Sequence, residues 1–506
     1  MWAKLVLLLY AVMMSRQNVI NLAQGQMRGV PHDGYVAYNG IPYASITSPN
    51  GRFKRASIAP TWSNIRESRT SKCSSISDPQ DCLTLDVNVP AATGNSWPVL
   101  VWITGGSGSY NPRKLVQEGI IMVNIYHRHG PQGFLCMNVD TIPGNAGIKD
   151  VVLALRWVRD NIIAFYGNPN KVIIAGQSFG AAMVDAIVMS SMASGLFHGA
   201  ILQSGTALCP WAFNYNAQVR AKSMLDKSET GTSEDVIKFL LSMEIEELVT
   251  RASKLNVPYF PFGICSEKPM KNEERLLSEP PYQKLTAKKA QEVPMIIGHN
   301  SNEAYVFLST LREARIIRRI SGSPTFLIPE ELTFLNERER NQVARQIMDL
   351  YFKKNVTIAS VLAYYRDAYF SNHIHRSVQH YSSATPVYYY QFSYSSDIGV
   401  QSEFGVKKIG AAHSDELGYL FGDRDFAGDD GAVQQRLVKL WSNFVKHLNP
   451  TPPPSDVSWE QTRPDHVRVM DIGTEIHMID HPHVKATEMW AGVYEKYYYL
   501  RNKPYF

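Results

Sequence analysis

Residues 171–182 read Lys-Val-Ile-Ile-Ala-Gly-Gln-Ser-Phe-Gly-Ala-Ala. A β-branched apolar run leads into Gly176-x-Ser178-x-Gly180, and helix-forming residues follow. A serine on a sharp strand-to-helix turn holds its Oγ clear of the backbone, where it can attack an acyl carbon. Gly176 and Gly180 leave room for the close strand–helix approach, and Ala181 and Ala182 keep the first helical turn slim. The helix start also aims free N–H groups at the same spot. The chemistry is acyl transfer through Ser178. A neutral serine is a weak nucleophile, so a base and a group that orients it must come from elsewhere in the chain.

Those groups need a rigid platform. Apolar, β-branched runs predict strands at residues 99–103, 119–126, 172–175, 200–203, 294–298 and 387–392. Helical periodicity covers residues 148–165 and 432–448, the second stopped by Pro450. Strand–helix alternation through 99–205 implies an α/β fold, with a mostly parallel sheet and helices on both faces. Chemistry in such sheets sits at the carboxyl ends of the strands. Residues 213–290 and 309–380 are more helical and more charged, and are read as excursions capping the sheet.

The 506-residue chain is 44% apolar and 19% charged, a globular composition with ample core. A net charge of +5 without aromatic-interleaved basic clusters excludes nucleic acid as a partner. Lys4 and the uncharged run 5–14 resemble a secretory leader, too short to span a bilayer. Residues 1–20 are therefore assigned to a leader, with cleavage between Met14 and Ala23, and 21–506 to a single domain. No later segment is apolar enough for a membrane span. Five cysteines suit an oxidising compartment. Cys73 and Cys82 flank a short polar loop and could close it, whereas Cys136, Cys209 and Cys265 read as buried free thiols. Asn355-Val-Thr is the one N-glycosylation sequon. His477, Asp480, His481 and His483 invite a metal, but Pro482 interrupts a regular helix and no H-E-x-x-H exists, so no metal is assigned. The glycine loop at 105–109 lacks dinucleotide spacing and no phosphate-loop motif is present, so no cofactor is assigned.

Several segments resemble the type B carboxylesterase/cholinesterase family, whose fold is the α/β-hydrolase. They are Tyr38-Asn-Gly-Ile-Pro-Tyr43, Asp81-Cys-Leu-Thr-Leu85, Gly130-Pro-Gln-Gly-Phe134, Asn145-Ala-Gly147, Ala154-Leu-Arg-Trp-Val158, Gly195-Leu-Phe-His198 and Gln203-Ser-Gly205. The likeness runs from about residue 25 to about residue 495. The family's acid follows G-x-x-x-x-E, matched by Gly298-His-Asn-Ser-Asn-Glu303. Its histidine sits in G-x-x-H-x-x-E-L, matched by Gly410-Ala-Ala-His413-Ser-Asp-Glu416-Leu. The resemblance implies a secreted serine esterase acting on uncharged, apolar esters, with Ser178, Glu303 and His413 as its triad. The order Ser, acid, His is that of the fold.

The chain departs from the family at its oxyanion loop. Thr104-Gly105-Gly106-Ser107-Gly108 stands where H-G-G-G-F is usual, and the donors by position are the N–H groups of Gly106, Ser107 and Phe179. Phe179 replaces the usual alanine after the serine, and its ring could narrow the acyl pocket or pack into the elbow helix. Gln177 replaces the glutamate of cholinesterases, and the 73–82 loop is short and lacks tryptophan, which disfavours choline esters. Gln177 with Arg52-Phe53 resembles juvenile hormone esterases, whereas Asp150-Val151 departs from their Asp-Gln. Two other readings on the same scaffold remain open. One is a catalytically silent, neuroligin-like binding protein, and the other is a slow scavenger of esters or organophosphates.

Overall fold

The computed structural model describes residues 18–498 apart from 48–50, 93, 107–109, 227, 228, 230, 256–259, 272, 309–313, 354 and 396–408. The expected leader core, residues 5–14, and Ser107 lie outside the described residues. The first described strand, Val19–Leu22, pairs with Gly25–Arg28, so a leader boundary at residue 20 would fall inside a paired strand.

Eleven strands form the central sheet. In chain order they are β1 (Val30–His32), β2 (Tyr35–Pro42), β3 (Thr84–Pro90), β4 (Trp97–Ile103), β5 (Ile121–Ile125), β6 (Gly167–Gln177), β7 (Gly199–Gln203), β8 (Met295–Asn300), β9 (Val387–Phe392), β10 (Arg468–Ile472) and β11 (Ile476–Asp480). Their spatial order is β11-β10-β9-β8-β7-β6-β4-β5-β3-β2-β1. The run from β5 through β4 and β6 to β10 is parallel throughout. Only the flanks β3–β5, β2–β3, β1–β2 and β10–β11 are antiparallel. The mostly parallel α/β-hydrolase sheet is thus present, and all six strands expected from apolar runs lie in it.

The strands are apolar on both faces because both are covered. Val99, Val101 and Ile103 belong to one buried cluster while Leu100 and Trp102 belong to the other, as a two-residue side-chain period requires. Four helices matter to the site, namely α1 (Ala146–Asn161), α2 (Phe179–Val188), α3 (Asn372–Tyr381) and α4 (Gly428–His447). Helix α1 turns Ile148, Val152 and Leu155 to the first cluster, then tightens into a 3-10 turn over Ile162–Phe165. Every residue of α2 is buried, and its one charged residue, Asp185, accepts from the Ala207 N–H at 2.7 Å and from the Tyr381 hydroxyl at 2.5 Å. Helix α4 covers the opposite face with Leu437, Trp441 and Phe444, and Leu448 closes it in a left-handed conformation.

The thiol expectation is corrected in part. Cys73–Cys82 is a disulfide, but Cys136 and Cys265 also pair, and only Cys209 is free. The second bond joins residues 129 apart in sequence, which no local spacing signals. The fold sets Cys136 and Cys265 side by side next to Gly144. Denatured, unreduced protein is expected to titrate one thiol per chain. Replacing Cys136 and Cys265 by alanine should cost about 2–5 kcal/mol, read from denaturant unfolding, because the bond closes a long loop.

Candidate active site

Strand β6 aligns Gly176 with Ile103 of β4 and Gln177 with Gln203 of β7. The chain then turns at Ser178 into α2, with Ser178 at φ 58° and ψ −127°. Few residues other than glycine adopt that conformation, and holding it costs roughly 1–3 kcal/mol. The turn is locked because its neighbours leave no alternative. A Cβ on Gly176 would lie 2.5 Å from the Gly180 carbonyl carbon, and one on Gly180 would lie 2.4 Å from the Ile103 carbonyl oxygen. The Ser178 N–H donates to the Gln203 carbonyl at 2.8 Å, which ties the turn to β7. Ser178 is half-buried. Among the described residues its Oγ has no hydrogen-bond partner.

Glu303 and His413 meet through loops that are stitched together. The Asn302 N–H donates to the Ala411 carbonyl at 2.9 Å, and the Asn300 side-chain amide to the Ala412 carbonyl at 2.6 Å. Ser301 Oγ accepts from the Ala411 N–H at 3.0 Å. His413 Nδ1 then donates to Glu303 Oε2 at 2.5 Å, and Glu303 Oε1 accepts from the Asn300 N–H at 2.7 Å. The Glu303 side chain is fully buried and that of His413 is 9% exposed. Nδ1 faces a carboxylate that can only accept, so the ring proton sits there and Nε2 carries the lone pair. This is the tautomer a general base needs.

Burial pushes the His413 pKa down, but Glu303, through its charge and hydrogen bond, together with Glu416 and Asp415, outweighs it and raises the value above the ordinary one. Glu416 is fully buried and accepts from Gln203 Nε2 at 3.1 Å and Asn300 Nδ2 at 2.6 Å. Burial first, then the charge of Glu303, push its carboxyl up to about 7. Sequence reasoning quoted Glu416 only as a motif residue, and its place near Glu303 and His413 depends on the β7 and β8 ends.

Of the oxyanion candidates, Gly106 and Phe179 fall among the described residues, and Phe179 directly follows Ser178. Helix α2 begins at Phe179, so the Phe179 N–H has no intrahelical acceptor. Gly105 presses against it. A Cβ there would lie 2.3 Å from the Gln177 carbonyl oxygen and 3.3 Å from the Phe179 nitrogen. Gly106 is exposed, with open space where a Cβ would go. Sequence reasoning missed His127, whose Nε2 lies 3.0 Å from the Thr104 carbonyl and braces the loop. A histidine after a strand carries no signal for that role.

An arc of rings borders these groups. Phe370 lies 5.2 Å from the His413 ring, Trp211 lies 5.6 Å from Phe370, and Phe260 lies 6.3 Å from Trp211. Phe179 continues it, 5.5 Å from Phe260 and 4.9 Å from Phe134. The Phe179 ring therefore packs on other rings of this wall. Elsewhere, Asn355 is exposed, and His477 is exposed while His481 is buried beside His375 at 4.2 Å. Among the described residues no three His, Cys, Asp or Glu side chains are grouped to hold a metal.

Known proteins are similar to this chain in sequence and in fold. The family described as "Carboxylesterase family" matches residues 16–490. The juvenile hormone esterase of Heliothis virescens is 26% identical over 86% of this chain and 86% of its own. Venom carboxylesterase-6 of Apis mellifera is 28% identical over 85% of this chain and 84% of its own. Among solved structures, the Manduca sexta juvenile hormone esterase with OTFP covalently attached superposes with a TM-score of 0.83. It is 25% identical over 94% of this chain and 99% of its own.

Above about pH 7 Glu416 carries a negative charge that helps hold the proton on His413, so replacing it by glutamine lowers the His413 pKa. Because the base must be neutral to act, the acid limb of the kcat/KM–pH profile is expected to move to lower pH in Glu416→Gln, measured with a chromogenic ester.

Proposed function

Because the chain belongs to the carboxylesterase family, and so hydrolyses carboxylic esters, we propose that Ser178 is its nucleophile, His413 its general base and Glu303 the carboxylate that orients His413. The reading rests above all on the 2.5 Å Glu303–His413 contact at the rim that also holds the strained Ser178. As Ser178 Oγ attacks the ester carbonyl, its proton passes to His413 Nε2. The negative charge that develops on the carbonyl oxygen is met by the N–H groups of Gly106, Ser107 and Phe179. Protonated His413, stabilised by Glu303, gives the proton to the departing alcohol and leaves an acyl-enzyme. Water enters where the alcohol left, His413 takes its proton, and the acid is released with Ser178 restored.

The proposed substrates are uncharged and apolar. The ring arc from Phe370 to Phe134 offers an apolar wall, and Gln177 stands beside the serine where a carboxylate would attract a cation. We place the protein outside the cell, as one domain whose leader is removed ahead of Val19. Two disulfides support an oxidising compartment, Asn355 is exposed for a glycan, and among the described residues no helix is long and apolar enough to cross a membrane.

Fluorophosphonate labelling tests the mechanism. Native protein should be labelled at Ser178 and Ser178→Ala should not, with kcat falling about 10⁶-fold in Ser178→Ala and about 10⁴-fold in Glu303→Gln. An unlabelled native protein would overturn the reading. A rapid stoichiometric burst followed by a negligible steady rate would instead identify a scavenger. Phe179→Ala should raise kcat/KM for benzoyl over acetyl esters about 10-fold if the ring limits the acyl group, read from paired p-nitrophenyl esters.

A further inference from the structure

The lone pair of His413 Nε2 is occupied. Its neighbour is Gln177 Nε2 at 3.2 Å, an amide nitrogen that can only donate. The same nitrogen also donates to Ser414 Oγ at 2.9 Å, so its two N–H groups bind consecutive residues of the histidine loop. Gln177 is buried and lies in the last position of β6, where pairing with Gln203 fixes its backbone. Ser178 Oγ, one residue on, has no hydrogen-bond partner among the described residues. The Nε2 lone pair accepts one strong hydrogen bond, so contacts from Gln177 and from Ser178 exclude each other.

We propose that Gln177 is a positioning residue that holds His413 Nε2 in a resting contact, which Ser178 must displace before it can be activated. This rests on the triad reading above. The serine stays un-ionised between turnovers, and each acylation begins with an exchange of donors at Nε2. The amide binds the neutral ring through that lone pair, so it favours the unprotonated base. It thereby opposes the carboxylates that face the ring, which are Glu303 at Nδ1 and, farther off, Glu416 and Asp415 from its own loop. Phe370 covers a ring face without charge. A glutamate at position 177 would have the opposite preference, since a carboxylate holds the protonated ring.

The full-length protein, its Gln177→Met and its Gln177→Glu variants are compared by two readouts. These are the second-order rate of fluorophosphonate labelling and the pH profile of kcat/KM for p-nitrophenyl acetate. Methionine matches the volume and cannot hydrogen-bond Nε2. Gln177→Met should label about 3- to 10-fold faster, the worth of one hydrogen bond, and its acid limb should move to higher pH. Gln177→Glu should move the limb further up and label more slowly. Labelling of Gln177→Met at or below the native rate, or an unmoved limb, overturns the proposal while the esterase reading stands. No labelling of native protein removes both. If Gln177→Met does not fold, the limb of Gln177→Glu decides, and an unmoved limb overturns the proposal.

Discussion

Strand β6 and helix α2 approach so closely that backbone of Gly180 fills the place of any side chain at position 176. Nothing larger than hydrogen fits on either side of the turn, and this exclusion holds Ser178 in a conformation it would otherwise leave. The strain is balanced by the sheet. β4 and β7 flank β6 in parallel register, and the Gln203 carbonyl takes the serine's own N–H. That bond leaves the Phe179 N–H, rather than the Ser178 N–H, as the donor free at the helix start. Gly105 extends the same constraint to the neighbouring loop, which lies against the elbow with no space for a Cβ. Ser178 and the Phe179 N–H are thus fixed by the close backbone contacts of Gly105, Gly176 and Gly180.

The electrostatics of the site come from two buried carboxylates, Glu303 and Glu416. Glu303 and Glu416 both have no exposure; Glu303 accepts from the Asn300 N–H at the end of β8, and Glu416 from the Gln203 and Asn300 side chains at the ends of β7 and β8. Burial, and then the charge of Glu303, push the Glu416 carboxyl up to about 7. Trp441 of α4 donates to Gln203 Oε1 at 2.9 Å, so the network reaches the helix on the far face of the sheet. His413 is thus biased by groups anchored at the strand ends behind it.

Around this polar centre the fold places rings. Phe370 and Trp211 come from segments about 160 residues apart, and the Trp211 indole N–H donates to the Tyr369 carbonyl at 2.8 Å, which leaves its apolar face for the arc. The Cys136–Cys265 bond ties the segment after Phe134 to the one after Phe260, and those two phenylalanines flank Phe179. A covalent bond therefore joins the two segments whose rings flank Phe179.

Taken alone, the sequence determined the central strands of the sheet and singled out the candidate reacting groups. Runs such as 99–103 and 172–175 admit few other structures, and the Ser178, Glu303 and His413 motifs are local patterns. Boundaries were less legible. Helix α4 begins four residues before the periodic stretch, and β6 extends five residues ahead of its apolar run. What only the tertiary structure decided was contact between distant segments. The Cys136–Cys265 pair, the seat of Glu416 between β7 and β8, the brace from His127 and the hold of Gln177 on His413 each join residues that no spacing connects. The physical reason is that a side chain's type sets what it can donate or accept. Which partner it meets depends on strand order and loop path, and those emerge only when the whole core packs.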